Sequence, residues 1–150
     1  MSHRNLRHFR IFLAVADLGT PTRAAERCNL SQPAVTQALR RMDVQAGGAL
    51  FTRGRGGFFL TERGAVFADR VRHAMTRLDA ALAEVSDDLV TSASRAQLQA
   101  VLALCETQNF TLAARSLGLA QPTVHRAVGQ FEKQAGRQLF ERRPAGVVPT

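Results

Sequence analysis

Apolar residues recur at helical spacing near the start of the chain. One series falls on a single side of a helix that spans about residues 5–18: Leu6, Phe9, Leu13 and Ala16. Basic residues precede this stretch, but charged residues bracket its short apolar run, so we expect an amphipathic helix and no signal peptide. A second helix is predicted to begin after Thr22, a candidate N-cap residue, with Ala24 and Ala25 small enough for close helix packing.

The residues that follow predict a sharp turn into a third helix. Asn29 can adopt the left-handed backbone conformation that ends a helix abruptly. Ser31 can cap the next helix, and Pro33 is tolerated in its first turn because the missing N–H would have no intrahelical partner. This helix continues to about Gln45, before Gly47 stops it. Helix, tight turn and helix form the helix-turn-helix plan.

A short hairpin with a glycine-rich basic tip is predicted next. Phe51–Arg53 and Phe58–Leu60 are typical of short strands, and Gly54–Gly57 would form the tip between them. A hairpin in this place is a wing. The glycines could instead cradle a nucleotide phosphate, but no Gly-Lys-Ser/Thr sequence follows and no helix opens at the tip, so we favour the wing.

A heptad pattern predicts a long helix from Glu62 to about Val85. Its apolar positions alternate steps of four and three residues between charged flanks, as in a coiled-coil seam. The seam consists of Phe67, Val71, Ala74, Leu78, Ala81 and Val85. Such a stripe can pack on its own domain, but for so long a helix beside so small a domain we favour self-association. Residues 91–94, Thr-Ser-Ala-Ser, are predicted to form a small polar linker after it.

The whole pattern occurs twice. Residues 6–61 align without a gap on residues 95–150, and about a third of the positions are identical. The second copy has the turn residue Gly118, the helix start Gln121–Pro122 and a wing at residues 140–148. We therefore predict an internal duplication. The expected fold is mainly α, with two winged helix-turn-helix domains joined by the long helix.

Polar side chains suited to DNA bases stand at the start of each third helix. Gln32, Thr36 and Gln37 lie on one side of the first two turns, and Arg53 and Arg55 beside the wing would reach phosphates or the minor groove. Gln can bond adenine through both amide groups, and Arg can fork onto guanine. Any one of these residues could equally be solvated surface; together they favour a helix that enters the major groove by its N-terminus. The second copy has Gln121, His125 and Arg126 in these places.

Composition favours a polyanionic partner and gives no sign of an enzyme. The 150 residues carry a net charge of +8 with a pI near 11.4. Cys28 and Cys105 stand at apolar helix positions, which favours small core residues in a reducing compartment. We find no metal-ligand spacing, no nucleophile with its base and no cofactor loop, so no cofactor or metal is expected. No stretch approaches membrane-spanning length, and we expect a cytoplasmic protein. RNA binding is an alternative, but helix-turn-helix heads suit duplex DNA.

The segment from Thr22 to Gly64 resembles the winged helix-turn-helix head of LysR-type transcriptional regulators. It shares the Ala-Ala pair, the Ser-Gln-Pro-Ala-Val helix start, the Leu-Phe-x-Arg strand and the Leu-Thr-x-x-Gly entry into a linker helix. The likeness covers residues 6–85, and a second one covers residues 96–150. It implies promoter binding controlled by a small inducer, and a homodimer through the linker helix that could become a tetramer in the full-length protein. It carries the DNA contacts over to Ser31, Gln32, Pro33, Thr36, Gln37 and Arg53, and to Gln121, Pro122, His125, Arg126 and Arg142.

The arrangement of domains departs from the family pattern. Family members ordinarily have one head and then a large inducer-binding domain, whereas here a second head follows the first. We therefore expect a DNA-binding fragment of a longer bacterial regulator. The predicted domains are a first head at residues 1–61, a linker and dimerisation helix at residues 62–90, and a second head at residues 91–150.

The second copy is the more divergent one. Ala120 replaces the capping Ser31, which weakens the helix start by about 1 kcal/mol, and Gly129 replaces Arg40 and so removes a candidate phosphate contact. Both copies are expected to contact DNA. The alternative is that the first copy binds DNA while the second is a protein-interaction or dimerisation module.

Overall fold

The computed structural model of the chain is mainly helical and describes residues 6–144 and 146–150. It divides into two compact units, Met1–Arg77 and Leu78–Thr150. The elements are α1 (Leu6–Leu18), α2 (Pro21–Arg27), α3 (Gln32–Ala46), β1 (Phe51–Gly54), β2 (Gly57–Leu60), α4 (Glu62–Val85), α5 (Asp87–Ser92), α6 (Arg95–Thr107), α7 (Phe110–Leu117), α8 (Gln121–Ala135), β3 (Phe140–Arg143) and β4 (Gly146–Pro149). The predicted class, mainly α with short hairpin wings, is confirmed. Two predicted positions, Asn5 in the first helix and Ala145 in the second wing, lie outside the described residues.

The first unit is built on three helices that pack around one core. α1, α2 and α3 all contact each other, and Phe12, Val15 and Val35 are fully buried between them. Ala24 and Ala25 of α2 are buried as well, because only small side chains allow the helices to approach this closely. This trio is the predicted helix-turn-helix together with its supporting helix.

The second unit contains the same trio in α6, α7 and α8. Its core includes the fully buried side chains of Leu104, Ala113 and Val124. α6 has 13 residues as α1 has, and α8 has 15 as α3 has. Each of the four strands has four residues. The two halves of the repeat therefore adopt the same local fold.

The second helix begins earlier than predicted. Its N-cap is Thr20 and not Thr22: the Thr20 side chain accepts a hydrogen bond from the backbone N–H of Arg23 at 3.3 Å. Pro21 is the first helical residue, where its fixed φ and missing N–H suit a helix start. Thr22 consequently lies inside the first turn. Asn109 caps the equivalent helix α7 and accepts from two backbone N–H groups.

The sharp turn before each recognition helix has the predicted left-handed backbone. Asn29 has φ 52° and Gly118 has φ 64°. Just beyond them the N–H of Leu30 donates to the Ala25 carbonyl at 2.9 Å, and the N–H of Leu119 makes the equivalent bond at 2.9 Å. These bonds satisfy carbonyl groups at the helix end. The shared backbone requirement explains why Asn in one copy stands where the other has Gly.

Each wing is a two-stranded antiparallel hairpin tied to its head by the backbone. The N–H of Phe58 donates to the carbonyl of Gly19 at 2.7 Å, and in the second unit the N–H of Val147 donates to the carbonyl of Gln108 at 2.8 Å. Gly57 precedes the first of these bonds with φ +148°, and a Cβ there would lie 2.4 Å from the Gly19 oxygen. The close approach of the wing therefore requires glycine.

The long helix α4 contributes to the packing of both units. Near its start, the ring of Phe67 packs edge-on against Phe12 at 5.2 Å between centroids. One turn later, Arg72 pairs with Asp17 of α1 at 2.9 Å. Its last turns supply Leu82 to a core of the second unit. None of the helices in the described ranges, α4 included, has the length and apolarity needed to cross a membrane.

A short helix, α5, takes up the first half of the predicted polar linker at residues 91–94, and Ala93 and Ser94 connect it to α6. Thr91 and Ser92 form its last turn, and the Ser92 hydroxyl donates to the carbonyl of Asp88 at 2.7 Å. The linker is shorter than predicted because Leu89 is fully buried in a cluster with Leu82 and Phe131. Burial of that side chain holds the segment helical despite its small polar residues.

Replacing each of two helical glycines with alanine should change the free energy of unfolding in opposite directions. A Cβ at Gly64 would lie 1.9 Å from the Leu50 carbonyl oxygen, whereas one at Gly129 would meet nothing within 4 Å. We expect Gly64→Ala to lower the free energy of unfolding by roughly 1–3 kcal/mol or more through overpacking. Gly129→Ala should raise it by about 0.5–1 kcal/mol. Thermal unfolding followed by circular dichroism tests both, and equal effects of the two variants would contradict these packing environments.

Candidate nucleic-acid interface

The start of α3 presents its polar side chains to solvent in an ordered row. Gln32, Pro33 and Gln37 are exposed, and Thr36 is half-buried. The Thr36 hydroxyl donates to the Gln32 backbone carbonyl at 3.1 Å, and the Gln32 side-chain amide donates to that hydroxyl at 3.4 Å. Ser31 caps the helix by accepting from the Ala34 N–H at 3.4 Å. The Gln32 and Thr36 side chains are thus bonded within the helix itself.

The start of α8 keeps this backbone without the capping hydroxyl. Ala120 has φ −72° and ψ 141°, close to the −77° and 146° of Ser31. Gln121, Pro122 and Arg126 are exposed. The loss of the cap therefore changes the stability of the helix start more than its geometry.

His125 is positioned differently from its counterpart Thr36. Its imidazole stacks on the ring of Phe110, the first residue of α7, with centroids 3.6 Å apart and an interplanar angle of 14°. Burial, and then the positive charge of Arg142, lower the pKa of His125 below its usual value. The imidazole is therefore uncharged at neutral pH and takes part in packing between α7 and α8.

Each wing carries two arginine residues. Arg53 and Arg55 are exposed, and the Arg53 guanidinium lies 5.1 Å from the centre of the Phe58 ring. Arg142 is exposed on β3, where its neighbour Arg143 pairs with Glu141. The cation–π contact restrains Arg53 beside the wing.

Sequence reasoning missed the side chains that join each recognition helix to its wing. The Asp43 carboxylate accepts from the N–H of Leu50 at 2.9 Å, and the Glu132 carboxylate accepts from the N–H of Leu139 at 2.8 Å. An acidic residue at the same place in both copies was the available signal. Arg63 of α4 also donates to the Ala46 carbonyl at the end of α3 at 2.9 Å, for which no pattern gave a sign.

The predicted dimerisation residues fall into three groups. Phe67 packs against the core of the first unit, and Val71 is buried. Leu78 and Val85 pack against the cluster that contains Leu82, Leu89 and Phe131 of the second unit. The third group, Ala74 and Ala81, is exposed.

The family follows from the sequence of both heads. The family model for "Bacterial regulatory helix-turn-helix protein, lysR family" matches residues 6–65 and again residues 96–150. The chain belongs to the LysR family. The expected relation to LysR-type transcriptional regulators is confirmed, and the matched stretches are the two helix-turn-helix copies described above.

Curated relatives match half of the chain in one case and nearly all of it in another. The HTH-type transcriptional regulator GalR of Pseudomonas putida is 32% identical over 149 residues, which are 97% of this chain and 38% of GalR. The uncharacterised regulator YdcI of Escherichia coli is 48% identical over 75 residues, 50% of this chain and 24% of YdcI. The chain thus spans between a quarter and two fifths of the length of these LysR relatives.

Solved structures of LysR-type proteins share the fold of about half of the chain. The CbnR DBD–DNA complex has a TM-score of 0.50 at 28% identity, covering 53% of this chain and 91% of that one. Vibrio fischeri DarR in complex with DNA has a TM-score of 0.51 at 27% identity, covering 55% of this chain and 28% of that one. The agreement supports the winged helix-turn-helix fold.

The stacked His125 should make stability depend on pH. Its folded-state pKa lies below the usual value of about 6.5. The stabilisation that the uncharged His125 contributes is therefore complete above about pH 6.5, and it is lost as the pH falls through the folded-state pKa. His125→Phe keeps a ring on Phe110 without titrating, so we expect its melting temperature to fall less than that of the parent below about pH 6.5. The pKa of His8 is also lowered, by burial and by the charges of Arg41 and Arg7. Its effect on stability is the same in the parent and in the variant, because both contain His8. If the melting temperatures of the parent and of His125→Phe changed in parallel with pH, the stacking of His125 on Phe110 would be contradicted.

Proposed function

We propose that the chain binds double-stranded promoter DNA sequence-specifically, as a dimer, and regulates transcription in the bacterial cytoplasm. The observation that carries this proposal is the pair of recognition helices whose first turns are exposed, polar and flanked by basic wings. Gln32 and Gln37 in α3, and Gln121 and Arg126 in α8, are exposed at equivalent positions. CbnR and DarR, which share this fold, are described in complexes with DNA.

In the first head, we assign base reading to α3 and phosphate contact to the wing. Gln32 and Gln37 offer amide groups that can bond both N6 and N7 on the major-groove edge of adenine, and Thr36 adds a methyl group for thymine. Ser31 and Pro33 stand at the start of α3, where the positive end of the helix dipole would attract a phosphate. Arg53 and Arg55 would contact the sugar–phosphate backbone and fix the register without reading bases. A net charge of +8 supports such contacts.

We further propose that the second head also contacts DNA. Gln121, Pro122 and Arg126 would take the places of Gln32, Pro33 and Gln37, and Arg142 would take the place of Arg53. The functional domains would then be residues 1–61 and 91–150, joined by the linker at residues 62–90.

One observation favours a different role for the second head. Leu112 and Leu119 are 46% and 48% exposed, and the first head has Arg23 at the place of Leu112. An apolar side chain there suits a protein partner better than a phosphate. The second head would then be an interaction module. The exposed polar groups of Gln121 and Arg126 lead us to prefer DNA.

Dimerisation is proposed through α4. Ala74 and Ala81 stand two turns apart on one side of this helix and are exposed, so two such helices can approach closely along that side. Val71, Leu78 and Val85 border this side. Because Leu78 and Val85 already pack within the second unit, Ala74 and Ala81 are the sharper positions to alter.

Arg53 and Gln32 should differ in what their loss does to DNA binding. Arg53→Ala should weaken binding to every duplex and lower the slope of log affinity against log salt by about one. Gln32→Ala should cost roughly 1–3 kcal/mol on the preferred site and relax the preference at one base pair. Fluorescence anisotropy with specific and unrelated duplexes measures both, and Arg77→Ala on α4 controls for charge. An Arg53 effect confined to one base pair, or equal losses on both duplexes for Gln32→Ala, would contradict these roles.

The dimer proposal predicts a change of mass when α4 is charged on its exposed side. The double variant Ala74→Glu with Ala81→Glu should shift the chain from dimer towards monomer, because carboxylates would meet across the seam. Ala83→Glu, an exposed alanine on another side of the same helix, should leave the mass unchanged. Sedimentation velocity measures this, and an unaltered dimer in the double variant would refute the seam.

A further inference from the structure

The two recognition helices present equivalent positions in the same register. α3 and α8 each have 15 residues and start with Gln-Pro. Their N-cap residues share the same extended backbone, and both end at a left-handed glycine, Gly47 with φ 71° and Gly136 with φ 68°. A residue at a given place in α3 therefore corresponds to the residue at the same place in α8. Differences in chemistry between them can be compared directly.

In the first head, the second turn offers only neutral polar groups. Thr36 and Gln32 are bonded to each other, and Gln37 is the exposed group beside them. A side-chain amide presents one donor and one acceptor, which match the N6 and N7 positions of adenine. The positive charge follows one turn later, at the exposed Arg40.

In the second turn of α8, stacking occupies one of the two candidate readers, His125 and Arg126. His125 is half-buried against the ring of Phe110, which leaves the exposed Arg126 as its neighbour towards solvent. A guanidinium offers paired donors and no acceptor, which match O6 and N7 of guanine and not adenine. His125 therefore positions α8 against α7, and Arg126 is the group free to meet a base.

The arginine also stands at a different position along each of the two helices. In the first head the exposed arginine is Arg40, one turn after Gln37. In the second head it is Arg126, at the place of Gln37, and the next turn has Gly129, with open space around it. Base edges are reached from the N-terminal part of a recognition helix. A charge at Arg40 suits phosphate, and a charge at Arg126 suits a base.

We infer that the two heads read different bases: Gln37 in the first head selects adenine, and Arg126 in the second head selects guanine, while His125 only positions the helix. This inference rests on the proposed DNA binding by both heads. The preferred duplex then contains two unlike elements: Gln32 and Gln37 specify A·T pairs in one, whereas Gln121 specifies an A·T pair and Arg126 a G·C pair in the other.

Reciprocal exchange of the two side chains tests this inference. Duplexes are selected from a random library by the parent chain, by Arg126→Gln and by Gln37→Arg, and the enriched sites are sequenced. Arg126→Gln should lose the guanine at one position, gain adenine there, and bind the parent site about 10- to 100-fold more weakly. Gln37→Arg should gain guanine in the other element. Both variants should keep the melting temperature of the parent, since both positions are exposed.

Two further variants separate reading from positioning. Gly129→Arg places a cation one turn after Arg126, as Arg40 stands one turn after Gln37. This variant should bind all duplexes more strongly, unrelated ones included, without a change in the selected bases. His125→Ala should lower the melting temperature and leave the selected bases unchanged. A new base preference in His125→Ala, or unchanged sites for Arg126→Gln, would overturn the inference. If the parent selects A·T pairs and no guanine, Arg126 reads no base and the inference fails although the chain still binds DNA; if the parent selects nothing, the proposed function itself fails.

Discussion

The hydrogen bond between the end of the supporting helix and the second wing strand sets the shape of each head. It joins Phe58 to Gly19 in the first unit and Val147 to Gln108 in the second. The strand comes so close that a Cβ at Gly57 would lie 2.4 Å from the facing oxygen, and one at Gly146 2.7 Å. No other residue type fits there without backbone movement. The wing is consequently held at a defined place beside the recognition helix.

This constraint makes helix and wing act together. A carboxylate near the end of the recognition helix, Asp43 or Glu132, accepts from the first backbone amides of the wing, so the helix end and the wing root are joined as well. Arg53 and Arg142 are carried by strands anchored in this way. The two heads therefore share one scaffold. Their differences lie in the side chains that the scaffold presents, such as Gln37 and Arg126.

The linker helix shows how one sequence pattern serves two kinds of packing. Its apolar residues follow a heptad, which indicates a seam but does not say against what the seam packs. Phe67 joins the core of the first unit, and Leu78, Leu82 and Val85 join a cluster of the second unit around Leu89. Packing within the chain thus uses residues that the heptad alone would assign to a dimer. Ala74 and Ala81 of the same heptad are exposed.

The sequence alone determined the elements whose signals are local. Helix periodicity, the left-handed residues Asn29 and Gly118, the Gln-Pro starts and the ungapped repeat predicted the helices, turns and wings, because neighbouring residues dictate these features. The exposed polar positions of Gln32, Gln37 and Arg126, the candidate readers, followed from the same local rules.

The tertiary structure decided the features that depend on contacts between residues distant in the chain. α5 forms because Leu89 is buried by α8, although its own residues are small and polar. His125 stacks on the ring of Phe110, which belongs to another helix. Asp43 and Glu132 become wing anchors only when the chain folds back upon them. Burial and long-range hydrogen bonds override local propensity at such positions, so no local pattern could have assigned them.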